Sequence, residues 1–537
     1  MSVSVSSDKV NLTNKGDKDF IAYCQPKTPS EVKFKVTAQD DYELIAPEPT
    51  LIPKKQGEVT IHNTGAGGWE VKPTKNSEDW IYEGTITVKN IELKPILIAF
   101  DNCVSKWITS DEPDSPKDPS KPVSTSNPLV YTEYDPPHWT NGIVKTKPVA
   151  FVRGEGKKPT LRATFNVDPM DIPKDKISGI KVRAKGIKAT KGPNGVINEE
   201  VIFIKPTSVT LREVKKNGTL IAMEADMAMK SFDKPIADVI KHYPNGSFTL
   251  NWSMSMGGDE NDEKSWYPIG ETPHTVYVTL ENPKTDFRQE SLFYISCKAA
   301  DKEDQMVNVP EKVWSGFEGL NVFRVDGKQL TYYAKYDITA GTTDSLLAKR
   351  DGDCIAWTYL FLDALMIQGV EFKKGYGNFC QIGLKNGNRG NNLVSGKDTG
   401  FMIKTWVFGK PSGKRTHPYK NTPLRISWLN QDRDDYEWSS AEVNYAEGTH
   451  GQGRNKPRAL FERHFMARVK VTVNGKEKEM FYDPSYGKKF DSAMGLLSQQ
   501  FLSVIAGYYK QSGSDVLFRQ PDSHREIQHK VIETYPK

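Results

Sequence analysis

Short runs of alternating apolar and polar residues dominate the first 108 residues of the chain. VKFKVTA, GEVTIHN, WIYEGTITVKN and PILIAFD are separated by proline, glycine and asparagine. Alternation with a period of two, without helical periodicity, is typical of half-buried strands. Residues 1–108 are therefore predicted to form an all-β sandwich of the immunoglobulin-like kind.

The same alternation returns between residues 129 and 293, and it predicts a second immunoglobulin-like β-sandwich. Its candidate strands are TLRATFNV, GIKVRAKGI, EEVIFIK, TSVTLREV, FTLNWSMSM and HTVYVTLE. Between the two blocks, residues 109–128 carry prolines at 113, 116, 119 and 122. This three-residue spacing suits an extended polyproline II segment. Residues 109–128 are thus predicted to be a Pro- and Ser-rich linker between two domains.

The pattern changes after residue 294, and residues 294–537 are predicted to form a third domain of the α+β class. The first amphipathic helix is expected at residues 353–368, which are apolar nearly all round and so predict a buried helix. Asp351 or Asp353 can cap its start, and Gly369 stands where the chain would leave the helix in the left-handed conformation. The protein is thus expected to be multidomain.

The composition agrees with a multidomain protein and limits the classes of partner that we expect. The length of 537 residues suits about three domains. A net charge of +5, from 73 basic and 68 acidic residues, gives no reason to expect nucleic-acid binding. No apolar run reaches membrane-spanning length. Residues 1–20 lack a basic start followed by an apolar run, so we expect a cytoplasmic protein or one exported without a cleaved signal peptide.

Motifs for metals and cofactors are missing from the sequence. The five cysteines are widely spaced and form no CxxC pair, which argues against a disulfide framework and a zinc site. No nucleotide loop, dinucleotide fingerprint or metalloprotease helix occurs in a fitting context. The acidic stretch GGDENDEKSW at 257–266 lacks the ligand spacing of a calcium loop and is interpreted as a hairpin loop. We therefore expect no metal and no cofactor.

Candidate chemistry begins at Cys354, in the first turn of the predicted helix. The positive end of the helix dipole and the unpaired backbone N–H groups there favour a thiolate. The same N–H groups can serve as an oxyanion hole. The alternative interpretation is a small buried residue at a helix start, so the cysteine by itself does not decide the function.

A second segment, at 462–487, predicts a hairpin that carries a histidine and a carboxylate. Apolar residues alternate from 465 to 473, and Asn474-Gly475 is a preferred type I′ turn pair. With a two-residue loop, Val473 faces Lys476, and His464 then lies diagonally across from Asp483 on the same face. A four-residue loop also keeps the two residues on one face, whereas an odd loop length separates them. An imidazole oriented by a carboxylate is what a thiol nucleophile requires; a solvent-exposed polar hairpin face is the alternative.

Together, Gly352-Asp353-Cys354, His464-Phe465 and Asp483-Pro484-Ser485-Tyr486-Gly487 resemble the transglutaminase-like superfamily, whose core is shared with papain-like cysteine proteases. The resemblance covers at most residues 294–537. It implies that Cys354 is the nucleophile, His464 the general base and acid, and Asp483 the orienting group. Eukaryotic transglutaminases also place a β-sandwich before the catalytic core, and many bacterial relatives are hydrolases.

These observations leave several functions open. The leading hypothesis is a cysteine protease, amidase or deamidase that acts on a protein or peptide substrate through an acyl-enzyme. A true transglutaminase, which joins glutamine to an amine, uses the same chemistry. A secreted bacterial effector toxin is compatible with either, with the β domains acting as delivery or adaptor modules. In a different class, the chain is a non-catalytic binding or adaptor protein that works through its β domains.

Other residues compete for places in the site. Residues 373–456 are Gly-, Asn- and Lys-rich and are interpreted as an insertion, either a lid or a solvated excursion. His417 and His450 are rival bases, but each lacks a matching carboxylate hairpin. Trp314, 40 residues before Cys354, is a candidate to complete the oxyanion hole, and a buried core tryptophan is the alternative.

Overall fold

The structure is a computed structural model of all 537 residues. It describes the side chains of residues 91–100, 148–154, 158–168, 179–188, 200–256, 260–263, 265–285, 289–333, 341–372, 378–383, 450–454, 463–472 and 475–491. Outside these ranges it describes the backbone of further strands, which are included below.

Before residue 91 the structure describes seven strands: β1 (Ser2–Val5), β2 (Asn11–Asn14), β3 (Phe20–Cys24), β4 (Glu31–Thr37), β5 (Gly57–Asn63), β6 (Trp69–Pro73) and β7 (Ile86–Asn90). They form one sheet of order β1-β4-β5-β6 and another of order β2-β3-β7. β4 and β5 confirm the predicted strands VKFKVTA and GEVTIHN. The assignment of these two sheets to an immunoglobulin-like sandwich stays a prediction.

A large sheet follows, built from β8 (Glu92–Asp101), β9 (His138–Thr140), β10 (Val149–Val152), β11 (Thr160–Asp168), β12 (Lys181–Lys191), β13 (Ile197–Lys216), β14 (Thr219–Ser231), β15 (Lys241–Ser255) and β16 (Tyr267–Thr279). Its order is β10-β16-β15-β12-β13-β14-β11-β8-β9. Residues 197–208 of β13 pair with β12, whereas residues 209–216 pair with β14. The long β13 therefore joins two halves of the sheet.

The two halves face each other across an apolar core. Phe165 of β11 meets Trp252 of β15 edge-on, with ring centroids 5.2 Å apart. Phe100 of β8 meets His274 of β16 at 5.0 Å, so the sheet is nearly closed on itself. Burial lowers the pKa of His274 to about 3, which keeps this core imidazole neutral.

Strand pairing crosses the predicted linker. β8 lies before residues 109–128, yet it pairs with β11 beyond them, from Thr160 opposite Asp101 to Asp168 opposite Glu92. Ile98 and Phe100 of β8 are fully buried in the core of this second sheet. A proline-rich segment indicates an extended stretch of chain. Which strands pair depends on the burial of their apolar side chains, and the spacing of prolines gives no information about that. The domain boundaries at 108 and 128 stay predictions.

Four helices form the next part of the chain: α1 (Glu290–Ala299), α2 (Val309–Glu318), α3 (Thr343–Lys349) and α4 (Cys354–Ile367). Short 3-10 turns lie at Glu263–Ser265 and Met306–Asn308. The prediction that the first amphipathic helix begins at residue 353 is wrong, because three helices precede it. α1 and α2 have only ten residues each, too few for a clear period in the sequence.

α4 itself agrees with the prediction. Asp353 caps it, and its side chain accepts a hydrogen bond from the Ala356 amide at 2.9 Å. Asp351, the other predicted cap, instead accepts one from the Thr331 hydroxyl. Gly369 takes a φ of 90°, the left-handed conformation expected at the helix end. α4 packs against α1, α2 and α3, which explains why it is apolar nearly all round.

The remaining strands are β17 (Thr331–Tyr332), β18 (Asp351–Gly352), β19 (Phe379–Leu384), β20 (Thr399–Ile403), β21 (Val407–Phe408), β22 (Val443–Asn444), β23 (Leu460–Phe461), β24 (Arg463–Val473), β25 (Lys476–Asp483), β26 (Lys488–Ser492), β27 (Ile505–Ser512), β28 (Asp515–Arg519) and β29 (Ile527–Ile532). The main sheet has the order β26-β25-β24-β19-β29, and α4 packs on β24. Smaller sheets are β23-β20-β27-β28, β21-β22 and the parallel pair β17-β18.

The predicted hairpin register is confirmed. Val473 lies opposite Lys476, Val469 opposite Met480, and Ala467 opposite Tyr482, as a two-residue loop requires. Gly475 in that loop has a φ of 75°, the positive value that a type I′ turn needs.

The helices and the second β block share one core. α1 crosses the predicted boundary at 293/294 and packs against β15 and β16. The Leu280 amide donates to the side chain of Gln368 at 3.1 Å, and the Glu281 amide donates to the Gln368 carbonyl at 3.2 Å. The residues that directly follow β16 are therefore hydrogen-bonded to the residue that directly follows α4.

Candidate active site

The structure brings the three predicted site residues together. Cys354 is the first residue of α4, and it lies beside the β24–β25 hairpin that carries His464 and Asp483. The exposed fractions are 5% for Cys354, 0% for His464 and 2% for Asp483. The alternative interpretation, a solvent-exposed polar face on this hairpin, is therefore wrong for these two residues.

His464 and Asp483 are buried and lie at ion-pair distance from each other. The His464 Nε2 atom lies 2.8 Å from Asp483 Oδ2. Burial opposes charging of the imidazole, but the Asp483 carboxylate and hydrogen bonds to Asp483 and Cys354 outweigh it and raise the pKa of His464 to about 10. Because Asp483 engages Nε2, Nδ1 is the ring nitrogen left to face the thiol. The imidazole is thus held between a carboxylate and a thiol.

The strand end fixes the carboxylate. Asp483 Oδ1 accepts hydrogen bonds from the amides of Ser485 at 3.1 Å and Tyr486 at 3.4 Å. Gly487 follows with a φ of 61°, and a Cβ there would lie 2.8 Å from the Glu318 carbonyl oxygen. The Asp-Pro-Ser-Tyr-Gly run therefore forms a turn that ties one carboxylate oxygen to the backbone and leaves the other to the imidazole.

Two buried tyrosines complete the surroundings. The Tyr486 ring lies 5.7 Å from the His464 ring and 5.2 Å from the Tyr332 ring, measured between centroids. Burial and the Asp483 carboxylate raise the pKa of Tyr486 well above its ordinary value, while an interaction with the Tyr332 hydroxyl acts against this rise. Both phenols therefore stay protonated at neutral pH.

Gln452 links the parts of the site through its backbone and its side chain. Its amide donates to the Ser485 carbonyl at 3.0 Å, and its carbonyl accepts from the Tyr332 amide at 2.9 Å. Its side-chain nitrogen donates to the carbonyls of Phe317 and Pro484, both at 2.7 Å. A fully buried glutamine thus connects the Asp483 turn to β17.

Sequence reasoning missed Tyr332 and Gln452. Gln452 lies in GTHGQG, a segment that drew attention only through His450, and His450 is exposed. Tyr332 sits in a two-residue strand, too short to give an alternation pattern. Tyr486 belongs to the Asp-Pro-Ser-Tyr-Gly motif, although no role was predicted for it. His417 and most of the insertion at 373–456 lie outside the described residues.

The structure places Trp314, the candidate oxyanion donor, in the aromatic core. Its ring stacks on Phe317 and meets Phe361 and Tyr482, with centroids 6.5, 5.6 and 5.0 Å away. No described contact joins it to Cys354. This placement favours the core interpretation of Trp314.

Cys297 and Cys380, the other cysteines whose side chains are described, are fully buried. Burial raises the pKa of the Cys297 thiol to about 12 and raises that of Cys380 further. Such thiols stay protonated and unreactive at neutral pH. Cys24 and Cys103 lie outside the residues whose side chains are described.

In the acidic stretch, Glu260 pairs with Lys181, and Glu263 pairs with Arg183, which favours a hairpin loop. Among the described residues, no group of three histidine, cysteine or carboxylate side chains is arranged to hold a metal ion. No helix in the described ranges has both the length and the apolar character needed to traverse a membrane.

A comparison with protein-family models finds no match for this chain. A search of curated proteins likewise finds no significant match. What the site can do therefore has to follow from its own geometry. A thiol at a helix start, an imidazole beside it and a carboxylate on the far side of the imidazole are the groups, in the order, that nucleophilic catalysis by a thiol requires.

Proposed function

We propose that the chain is a thiol acyl-transfer enzyme that cleaves or modifies amide bonds in protein or peptide substrates. Cys354 is the nucleophile, His464 the general base and acid, and Asp483 the orienting group. The observation that carries the proposal is the buried His464–Asp483 pair, with 2.8 Å between Nε2 and Oδ2, next to a thiol at the start of a buried helix.

The chemistry follows from this order of groups. Before the substrate binds, His464 holds the thiol proton as an imidazolium, which Asp483 stabilises, in keeping with the raised pKa of His464. The Cys354 sulfur attacks the carbonyl carbon, and the electron pair of the C=O bond moves to the oxygen. Collapse of this intermediate breaks the C–N bond, and His464 gives its proton to the leaving amine or ammonia. His464 then takes a proton from water or a second amine as that molecule attacks the thioester, and the C–S bond breaks to release the Cys354 sulfur.

The helix start supplies part of the stabilisation for the oxyanion. Asp353 occupies the amide of Ala356 at 2.9 Å, so this N–H is not available to a substrate. Earlier amides in the first turn have no partner within the helix by its geometry. They are suited to meet an oxyanion formed at Cys354.

The transglutaminase-like resemblance supports the proposal, since it predicted the same three residues from their motifs. Cross-linking of glutamine to amines remains the alternative within this chemistry. Incubating a glutamine-containing protein with a fluorescent primary amine separates the two outcomes. Covalent incorporation of the amine indicates transamidation, whereas release of ammonia or of new peptide ends without incorporation indicates hydrolysis.

The first experiment measures iodoacetamide labelling of each cysteine between pH 5 and 9, mapped by mass spectrometry. We expect Cys354 to react quickly even at pH 5–6, where an ordinary thiol is almost fully protonated. His464→Ala should slow this labelling about 100-fold or more at the low end. Cys297 and Cys380 serve as internal controls and should stay unlabelled in the native protein.

Circular dichroism and the thermal midpoint would verify that His464→Ala is folded. Slow labelling of Cys354 at every pH, equal in the wild type and the variant, would contradict the proposal. The non-catalytic hypothesis, in which the β domains bind a partner, would then take its place.

A further inference from the structure

The Tyr332 side chain stands out among the buried groups around the site. It is fully buried, and its hydroxyl makes no hydrogen bond of proper geometry within the part of the chain that the structure describes, although it faces the Tyr486 hydroxyl. An unpaired buried hydroxyl costs about 1–3 kcal/mol. Such a cost is expected where the group serves a ligand or a reacting atom.

The backbone holds Tyr332 firmly beside the nucleophile. β17 pairs in parallel with β18, and Tyr332 lies opposite Gly352, two residues before Cys354. The Trp357 ring N–H donates to the Thr331 carbonyl at 3.3 Å, and the Tyr333 amide donates to the Gly352 carbonyl at 3.1 Å. The strand that carries the phenol is therefore fixed to the strand that leads into the cysteine.

The chain is strained directly after this phenol. Tyr333 has a φ of 49°, a left-handed conformation that is uncommon for a bulky residue. The Arg454 guanidinium donates to its carbonyl and helps to hold the turn. Strain of this kind persists only where the surroundings enforce it, and it concentrates at functional sites.

The surroundings of Tyr332 keep its hydroxyl protonated. Burial is the main cause that raises the pKa of Tyr332 well above its ordinary value, and charges on Tyr486, Cys354 and Asp483 add to the rise. The phenol therefore keeps its proton at neutral pH, on a strand that lies opposite Gly352.

We infer that Tyr332 is a catalytic residue whose hydroxyl donates a hydrogen bond to the oxyanion formed when Cys354 attacks a substrate carbonyl. The inference rests on the proposed function and adds a residue to it. The carbonyl oxygen gains the electron pair of the C=O bond, and the phenol stabilises this charge without giving up its proton. In the resting site the hydroxyl meets no acceptor in hydrogen-bond geometry among the described residues, so it can turn from the Tyr486 hydroxyl toward an oxyanion.

The test separates two reactions of the same thiol. Alkylation by iodoacetamide forms no oxyanion, whereas acylation by p-nitrophenyl acetate passes through one. Tyr332→Phe removes the hydroxyl but keeps the ring that packs against Tyr333 and Tyr486. We expect the acylation rate, followed as the burst of p-nitrophenolate, to fall about 100- to 1,000-fold. The alkylation rate and its pH profile should change less than about threefold.

Tyr482→Phe is the matched control. Tyr482 is another fully buried tyrosine, but its hydroxyl donates to Glu311 at 2.6 Å, away from the cysteine. This variant should acylate at the wild-type rate. A general loss of packing would slow both variants, whereas a loss of the oxyanion donor slows only Tyr332→Phe.

Each other outcome overturns the inference. Acylation of Tyr332→Phe within about threefold of wild type would leave the proposed function intact and remove the role of Tyr332. An equal fall in alkylation and acylation would mean that the phenol acts on the thiolate instead. If wild-type Cys354 were alkylated rapidly but not acylated by the ester, the thiolate would be present without a donor for the oxyanion. Slow reaction of wild-type Cys354 with both reagents would overturn the proposed function as well.

Discussion

At the scale of single residues, the arrangement of the candidate site depends on the hydrogen-bond partners of each buried polar group. Asp483 has one oxygen tied to the amides of its own turn and the other 2.8 Å from His464. Because both residues are almost fully buried, the pair can be broken only at the cost of an uncompensated buried group. The orienting role that we propose for Asp483 is therefore coupled to stability, and the coupling has a predictable pH dependence.

We predict that Asp483→Asn lowers the thermal midpoint most at about pH 6.5 and progressively less toward pH 10. The pKa of His464 is raised to about 10 in the folded protein, against about 6.5 in the unfolded chain. Stability from the bound proton is therefore fully present below about pH 6.5 and is lost as the pH rises toward 10. At neutral pH the substitution should lower the free energy of unfolding by roughly 3–5 kcal/mol.

Melting curves of the wild type and the variant, recorded at intervals from pH 6 to 10, measure this difference. Glu311→Gln is the control, because Glu311 binds Tyr482 and Lys489 rather than His464. If the thermal midpoint of Asp483→Asn stayed below that of the wild type by the same amount from pH 6 to 10, the pKa of His464 would not be raised by Asp483.

At the scale of elements, α4 presents its first residue to the site because its two ends are fixed. Asp353 caps the start, and the chain turns away at Gly369, which approaches the backbone of Glu281 and Asn282. The sequence predicted this helix, its cap region and its C-terminal glycine from local signals. It did not predict α1 and α2, whose ten residues bury one face each without a long repeat.

We predict that Gly369→Ala destabilises the protein more than Gly475→Ala does. Both glycines have positive φ, 90° and 75°, so each substitution carries a left-handed strain of about 1–2 kcal/mol. A Cβ at Gly369 would also collide with Glu281, whereas a Cβ at Gly475 meets open space.

Urea unfolding midpoints of the two variants measure the difference between them. Equal shifts would mean that the segment after α4 relaxes away from the sheet. The docking of α4 on the β block would then be looser than the hydrogen bonds of Gln368 indicate.

At the scale of the whole molecule, strand pairing and a helix cross the positions where the composition of the chain changes. β8 pairs with β11 across residues 109–128, and α1 runs through residues 293 and 294. The helices, the main C-terminal sheet and the end of the large β-sheet share one continuous core. Removal of a segment at a compositional boundary would therefore cut through paired strands.

We predict that a fragment of residues 109–537 is poorly soluble, whereas a fragment of residues 91–537 is soluble. The shorter fragment lacks β8 and so exposes the edge of β11, together with the core that Ile91, Leu93, Ile98 and Phe100 otherwise cover. Unpaired strand edges with apolar neighbours promote aggregation. Soluble yield and gel filtration of the two fragments measure the effect. Equal behaviour would show that β8 is dispensable and that the compositional boundary is a domain boundary.

Local patterns in the sequence determined the strands of the β blocks, the buried helix from Cys354, and the register that sets His464 and Asp483 on one hairpin face. Each of these depends on residues that are close in the chain, where side-chain periodicity and turn preference act directly. Only the tertiary structure decided that the hairpin packs against α4, that Tyr332 and Gln452 join the site, and that β8 belongs to the large sheet. Such contacts join residues that are far apart in the chain, 120 positions in the case of Tyr332 and Gln452, and burial selects them among many partners of similar local pattern.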